Sequence, residues 1–181
     1  MQIYNNSERY GLVHAGLHFI MALLIVSMLC LGYYMNNVTY NPTLYFFHKS
    51  FGVVVFMLVI VRLVWKFVNP FPKPDTTIPS LIRALSTLGH FALYAFMIIM
   101  PLSGFLYSAF KGYPTNFFGL FTIPAFTPNK ETAHLFEEIH EISSFIFSGL
   151  ILTHSVMALV HHYILKDNTL RKMVPCVKKP S

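Results

Sequence analysis

Acidic side chains are scarce in this 181-residue chain: seven Asp and Glu stand against thirteen Lys and Arg, and charged residues make up only 11% of the total. A water-soluble domain carries roughly 25% charged residues, so an ordinary soluble fold is excluded. Cysteine is nearly absent. Cys30 lies in an apolar run and Cys176 in a basic tail, which suggests neither a disulfide framework nor a bridge between the two. Without a C-x-x-C, covalent haem attachment through C-x-x-C-H is excluded, and no thiolate set points to zinc or an iron–sulfur cluster. The sequence offers no hydrolase nucleophile with its base and no phosphate-binding loop. Its net charge of +6 comes from basic residues flanking apolar runs, which points to a membrane and not to nucleic acid.

What is abundant is apolar: 55% of the residues are hydrophobic. Four runs, at about 11–35, 44–66, 84–110 and 139–165, are long enough as helices to cross hydrocarbon, which takes about 20 residues. Barrel strands are far shorter, about 9–11 residues, and alternate in character. The expected fold is therefore all-α: a single-domain integral membrane protein over residues 1–181, folded as a four-helix transmembrane bundle with Pro101 kinking the third helix. The connection 36–43 reads as a polar turn, 67–83 holds four prolines, 111–138 is mixed and has room for a short interfacial segment, and 166–181 is a tail. Arg9, Arg62, Lys66, Lys73, Arg83, Lys166, Arg171, Lys172, Lys178 and Lys179 fall on one side, and Lys49, Lys111 and Lys130 on the other. That asymmetry places both termini in the cytoplasm. The first run is too long for a signal peptide, lacks a small-residue cleavage site and reads as a retained anchor. Arg62 is explained as a snorkelling or topology residue, and Glu137, Glu138 and Glu141 by the helix dipole.

Nine histidines in so apolar a chain need a reason, because histidine in hydrocarbon is costly unless something binds it. Depth along the helices sorts them into two layers. The outer layer holds His48 and His140, with His134 marginal. The inner layer holds His154, with His18, His14 and His90 as candidate partners. His154 lies about 21 Å from His140 at the helical rise, and positions 140, 154 and 161 fall within about 60° of one face. One helix thus presents imidazoles at two depths, each with a partner from another helix. Imidazole pairs without carboxylate or thiolate neighbours suit haem iron better than structural zinc, which takes four protein ligands. Gly52, Gly89 and Gly149 lie near ligands, where small residues would admit a haem ring. His90 reads equally as a ligand or as a donor to a haem propionate. Two axial imidazoles would leave no open site for oxygen, so the chemistry implied is one-electron transfer.

Leu17-His18, His48-x-x-x-Gly52, Leu88-Gly89-His90, His140-Glu141, His154 and the tail from His161-His162-Tyr163 through Lys166-Asp167-Asn168-Thr169-Leu170 come in an ordered set. With that set the chain resembles the prokaryotic diheme cytochrome b561 family over essentially its full length. The resemblance implies a bacterial inner-membrane protein with two b haems, the inner on His18 and His154 and the outer on His48 and His140. It implies a link to ubiquinone, with His161 and Lys166 at the quinone site. It also implies an activity like that of superoxide oxidases, which pass electrons from superoxide to ubiquinone. Lys49, beside an outer ligand, with Lys111 and Lys130, would steer the superoxide anion. A family tryptophan after the helix 1 histidine is Phe19 here, and another before the helix 4 histidine is Ile139. The alternative reading is an electron-transfer subunit linking quinone to a protein redox partner.

Overall fold

A computed structural model describes residues 2–38, 40–69, 72 and 78–174. Cys176, Lys73, Lys178 and Lys179 lie outside the described residues, as does much of the four-proline connection. Among the described residues the elements are α1 (Leu12–Asn37), α2 (Pro42–Val68), α3 (Ser80–Phe110), β1 (Thr115–Phe117), β2 (Phe121–Ile123), α4 (Lys130–Tyr163) and the short α5 (Thr169–Met173). The first four helices in chain order, α1 to α4, are each long and apolar enough to cross a membrane. Leu23, Met57, Phe145 and Leu152 stand exposed on them. A helix satisfies its backbone polar groups internally, so such apolar flanks suit hydrocarbon.

Capping chemistry extends the helices beyond their apolar runs. Asn41 accepts from the Thr43 N–H at 2.9 Å through its side chain, and Pro42 takes the first helical position, so α2 begins two residues before the expected Leu44. α4 begins at Lys130 and not near Ile139. Asn129 Oδ1 accepts from the Thr132 N–H at 3.0 Å and Glu131 sits in the first turn. The polar turns that precede the apolar stretch are therefore helix, and His134 lies within α4. Pro101 is accommodated inside α3.

The connection between α3 and α4 holds an antiparallel hairpin pairing Thr115 with Ile123, Asn116 with Thr122 and Phe117 with Phe121. Phe118 (φ 49°) and Gly119 (φ 79°) make its turn, with both central residues left-handed. The Leu120 N–H closes that turn on the Phe117 carbonyl at 2.9 Å. Ser50 of α2 is fully buried. Its hydroxyl donates to the Asn116 carbonyl at 2.9 Å and accepts from the Phe118 N–H at 3.2 Å.

Two compact units divide the chain. The first comprises the described parts of Met1–Ile20, Ile60–Tyr94 and Gly149–Ser181. Its buried side chains include Asn5, His14, Asn69, His161, His162 and Asp167. The second, Met21–Val59 and Ala95–Ser148, buries apolar residues, among them Met21, Val55, Val59, Met97 and Phe147. Burial in the first unit is thus strongly polar, an expense a fold accepts when those groups have partners or a function.

Candidate redox centres

In the second unit, His48 of α2 and His140 of α4 face each other with ring centroids 6.4 Å apart and planes at 88°. His140 Nδ1 lies 2.9 Å from the Met100 carbonyl oxygen and 3.3 Å from Ser103 Oγ. A carbonyl only accepts, so Nδ1 carries the hydrogen and Nε2 keeps a free lone pair. Ser103 Oγ donates to the same carbonyl at 3.1 Å. The ring lies directly against Gly104, where a Cβ would meet His140 Cε1 at 2.7 Å and Nδ1 at 3.0 Å. A Cβ at Gly32 would meet His48 Cε1 at 3.4 Å. His48 Nδ1 is buried without a hydrogen-bond partner.

In the first unit, the His18 and His154 ring centroids are 6.2 Å apart, with planes at 68°. His90 also approaches His154, at 5.2 Å and 85°. His90 Nδ1 donates to the Ser86 carbonyl at 2.7 Å. His18 Nδ1 instead accepts from Arg62 Nη2 at 3.0 Å, because a guanidinium only donates. Arg62 is therefore more than a snorkelling residue. Its Nε is buried and unpartnered, and its guanidinium lies 5.7 Å from the centre of the Tyr94 ring. His14, a turn before His18, is buried and stacks on Tyr10 at 4.2 Å with Nδ1 unpartnered. Burial raises the Tyr10 phenol above its ordinary pKa and Tyr94 adds to that, against the opposing charge of Arg62. Among the described residues, no three His, Cys, Asp or Glu side chains are grouped to hold a metal ion by themselves. The sites on offer are imidazole pairs.

Past the end of α4, Lys166 adopts a left-handed backbone (φ 52°) and the chain turns back. The Asp167 N–H donates to the His161 carbonyl at 3.1 Å, and the Asp167 carboxylate accepts from His161 Nδ1 and, at 2.8 Å, from the Thr169 N–H. Burial alone would raise the Asp167 pKa, but the hydrogen bonds from His161 and Thr169 outweigh it and hold the carboxyl below the usual range. Lys166 itself is exposed. His162 is buried with Nδ1 unpartnered.

The remaining expected residues have ordinary partners. Lys49 Nζ donates to the Pro114 carbonyl at 2.9 Å and lies 5.8 Å from the Tyr113 ring centre. Lys111 Nζ donates to Tyr107 Oη at 2.7 Å, and Tyr107 in turn donates to Glu137 at 2.7 Å, which gives Glu137 a role beyond the helix dipole. The Tyr107 bond raises the Lys111 pKa against a smaller opposing effect of burial. His134 pairs with exposed Glu138, at 3.7 Å. The glycines expected to border the rings, Gly52, Gly89 and Gly149, have open space where a Cβ would sit; Gly104 is the one pressed against an imidazole.

Paired imidazoles on membrane-spanning helices, with no protein-only metal site among the described residues, are the pattern of a b-type cytochrome. The family model of the prokaryotic cytochrome b561 matches residues 9–176. The chain belongs to that family. It is 32% identical over 179 residues to cytochrome b561 homolog 2 of Escherichia coli K12, covering 96% of this chain and 95% of the relative. Cytochrome b561 homolog 1 of the same organism is 36% identical over 128 residues, 71% of this chain and 73% of its own. A probable superoxide oxidase, CybB, of Yersinia pestis is 29% identical over 173 residues, 93% of this chain and 97% of its own. As a cytochrome b561 the chain is a membrane electron-transfer protein of the lipid bilayer, and its family implies b-type haem.

Ser103, Gly104, Arg62 and Asp167 are the site residues that sequence patterning did not single out for these roles. Pro101 is the nearest sequence signal for the first two, since a proline inside a helix removes a backbone N–H. The charged Arg62 inside an apolar run, and the acidic residue in the His161-to-Leu170 tail, were the signals for the others.

Proposed function

We propose that this cytochrome carries two b haems, one between His48 and His140 and one between His18 and His154, and passes electrons from superoxide to ubiquinone. The separation of the two ring pairs, 6.4 Å and 6.2 Å, carries the reading. Imidazole–metal bonds of about 2 Å on either side of one ion would set ring centroids roughly 6 Å apart. His90, at 5.2 Å from His154, is too near to be the second ligand across an iron and suits a haem propionate instead. Bound haem would supply one-electron iron chemistry.

The residues around each pair have definable tasks. His140 offers Nε2 while its Nδ1–H is held by Met100. His18 cannot accept from Arg62 at Nδ1 and also bind iron as a neutral ring through Nε2, because Nδ1 must then carry the hydrogen. Haem ligation by His18 would therefore free Arg62 to pair with a propionate carboxylate.

Superoxide donates one electron and leaves as oxygen, and two such electrons with two protons convert ubiquinone to ubiquinol. Lys49 and Lys130 would supply positive potential on the side where the anion would arrive, while Lys111 is offset by Glu137 at 4.0 Å. That side is the outer one if both termini are cytoplasmic, as the charge asymmetry indicates. His161, with Lys166 nearby, would serve ubiquinone. The Asp167 contact keeps the hydrogen on His161 Nδ1, so Nε2 can exchange protons with the quinone.

The test combines a reduced-minus-oxidised spectrum and haem stoichiometry with superoxide and a soluble ubiquinone analogue. The expected result is two haems per chain, reduced by superoxide faster than it dismutates spontaneously, and quinol formation at one per two superoxides. Two haems without superoxide-dependent reduction would exclude the oxidase and leave electron exchange with a protein partner.

A further inference from the structure

Met100 and Gly104 of α3 bring helix backbone directly against the His140 ring. The Nδ1–H of His140 reaches the Met100 carbonyl at 2.9 Å, and Gly104, one turn on, leaves the space the ring occupies. An alanine methyl there would stand 2.7 Å from Cε1, 3.0 Å from Nδ1 and 3.3 Å from Nε2 of that ring. Those atoms are not the far end of a flexible chain. They belong to a rigid ring fixed by its own hydrogen bond, so the ring itself has to move. Gly104 lies inside α3, and its left-handed freedom is unused.

We infer that Gly104 is a positioning residue for His140: the missing side chain seats the ring on the Met100 carbonyl, which fixes its tautomer and makes it the more electron-rich ligand. This rests on the two-haem reading above. A metal-bound imidazole that donates its second N–H to a carbonyl becomes a stronger base. It therefore stabilises ferric over ferrous iron and lowers the midpoint potential at the His48–His140 pair. His48 does not share the device, because its Nδ1 has no partner. Nearby charges do not reproduce it. Lys49 is turned to the Pro114 carbonyl, and Lys111 and Glu137 lie 4.0 Å apart and offset each other. Ser103 Oγ shares the Met100 carbonyl and steadies the same acceptor.

The experiment compares Gly104→Ala with Leu102→Ala, an exposed neighbour on α3, in the haem-loaded protein and in the haem-free protein. In the loaded protein, potentiometric titration with haem stoichiometry should show two components for wild type and for Leu102→Ala. In Gly104→Ala one component should move to higher potential, or that haem should be retained roughly 10-fold or more weakly, while the other is unchanged. In the haem-free protein, 15N shifts of labelled histidine should report the Nδ1–H tautomer at His140 for wild type and its loss in Gly104→Ala. Unchanged potentials and an unchanged tautomer would overturn the inference. So would loss of both haems, which would make Gly104 a residue of the fold and not of His140. A wild-type stoichiometry other than two would refute the two-haem reading, and the tautomer measurement would still decide the role of Gly104.

Discussion

His161 and Asp167, six residues apart, are joined by a buried hydrogen bond from the ring Nδ1–H to the carboxylate. The carboxyl is held below its usual range, so the ionised form is favoured in the folded protein. A depressed acid contributes stability that is full above its unfolded pKa, about 3.9, and is lost as pH falls through the lower folded value. Thermal stability should therefore hold from pH 7 to about pH 4 as far as this carboxyl is concerned and fall below that. Asp167→Asn should lack the acid limb and be less stable at pH 7 by about 1.5–3 kcal/mol, the worth of a hydrogen bond to a charged group. Melting curves from pH 3 to 8 check both. Quinone reduction should slow in the same variant with both haems retained, because His161 is no longer held in one tautomer.

Replacing His140 or His48 by Ala should reduce the haem content from two per chain to one. Pyridine haemochrome analysis measures this directly. Retention of two haems in either variant would refute the pairing.

Arg62→Leu should weaken binding of the haem proposed to lie between His18 and His154 and leave the other in place. The guanidinium has an unpartnered buried Nε and a bond to His18 Nδ1 that haem ligation by His18 would break. Loss of a charge-assisted partner of this kind should raise the dissociation constant roughly tenfold for each 1.4 kcal/mol lost. Haem transfer to apomyoglobin gives the rate; equal retention in wild type and variant would remove Arg62 from the propionate.

Lys49→Gln should slow reduction by superoxide and flatten its dependence on ionic strength. Salt screens a steering charge over about 10 Å at 0.1 M, so wild type and variant should converge as salt rises. Stopped-flow reduction between 10 mM and 500 mM salt tests this. A rate loss that persists undiminished at high salt would assign Lys49 to its bond with Pro114 instead.

Ser50→Ala should destabilise the hairpin. The substitution strands the Phe118 N–H and the Asn116 carbonyl at a buried position, a loss of about 1–3 kcal/mol. Faster proteolysis within 111–129 with unchanged haem content is the expected outcome.

The spans were legible because hydrocarbon demands continuous apolar runs, and the histidine pairs because helical rise and phase carry a residue's depth in its number. The helix starts at Pro42 and Lys130 were not, since hydropathy reports only the lipid-facing length and an Asn cap extends a helix through polar residues. The second nitrogens of the ring pairs were equally hidden. The partner of His140 is a backbone carbonyl 40 positions away, which has no sequence signature of its own. Asp167 stood in plain view beside Lys166, but its role depends on a left-handed residue that is not glycine.

The hairpin between α3 and α4 is only three residues per strand, too little to persist in water alone. Its order is borrowed: Ser50 and Lys49 hold it from α2, and the Phe126 and Asn129 N–H groups bond to Ala109 and Phe110 at the end of α3. Residues 48, 49 and 50 thus join a ring-pair histidine to two hairpin anchors without a break in the chain. Segment 111–129 is therefore not a transplantable module. Grafted onto another scaffold it should lose its shape, and a cut within it should be felt first at His48.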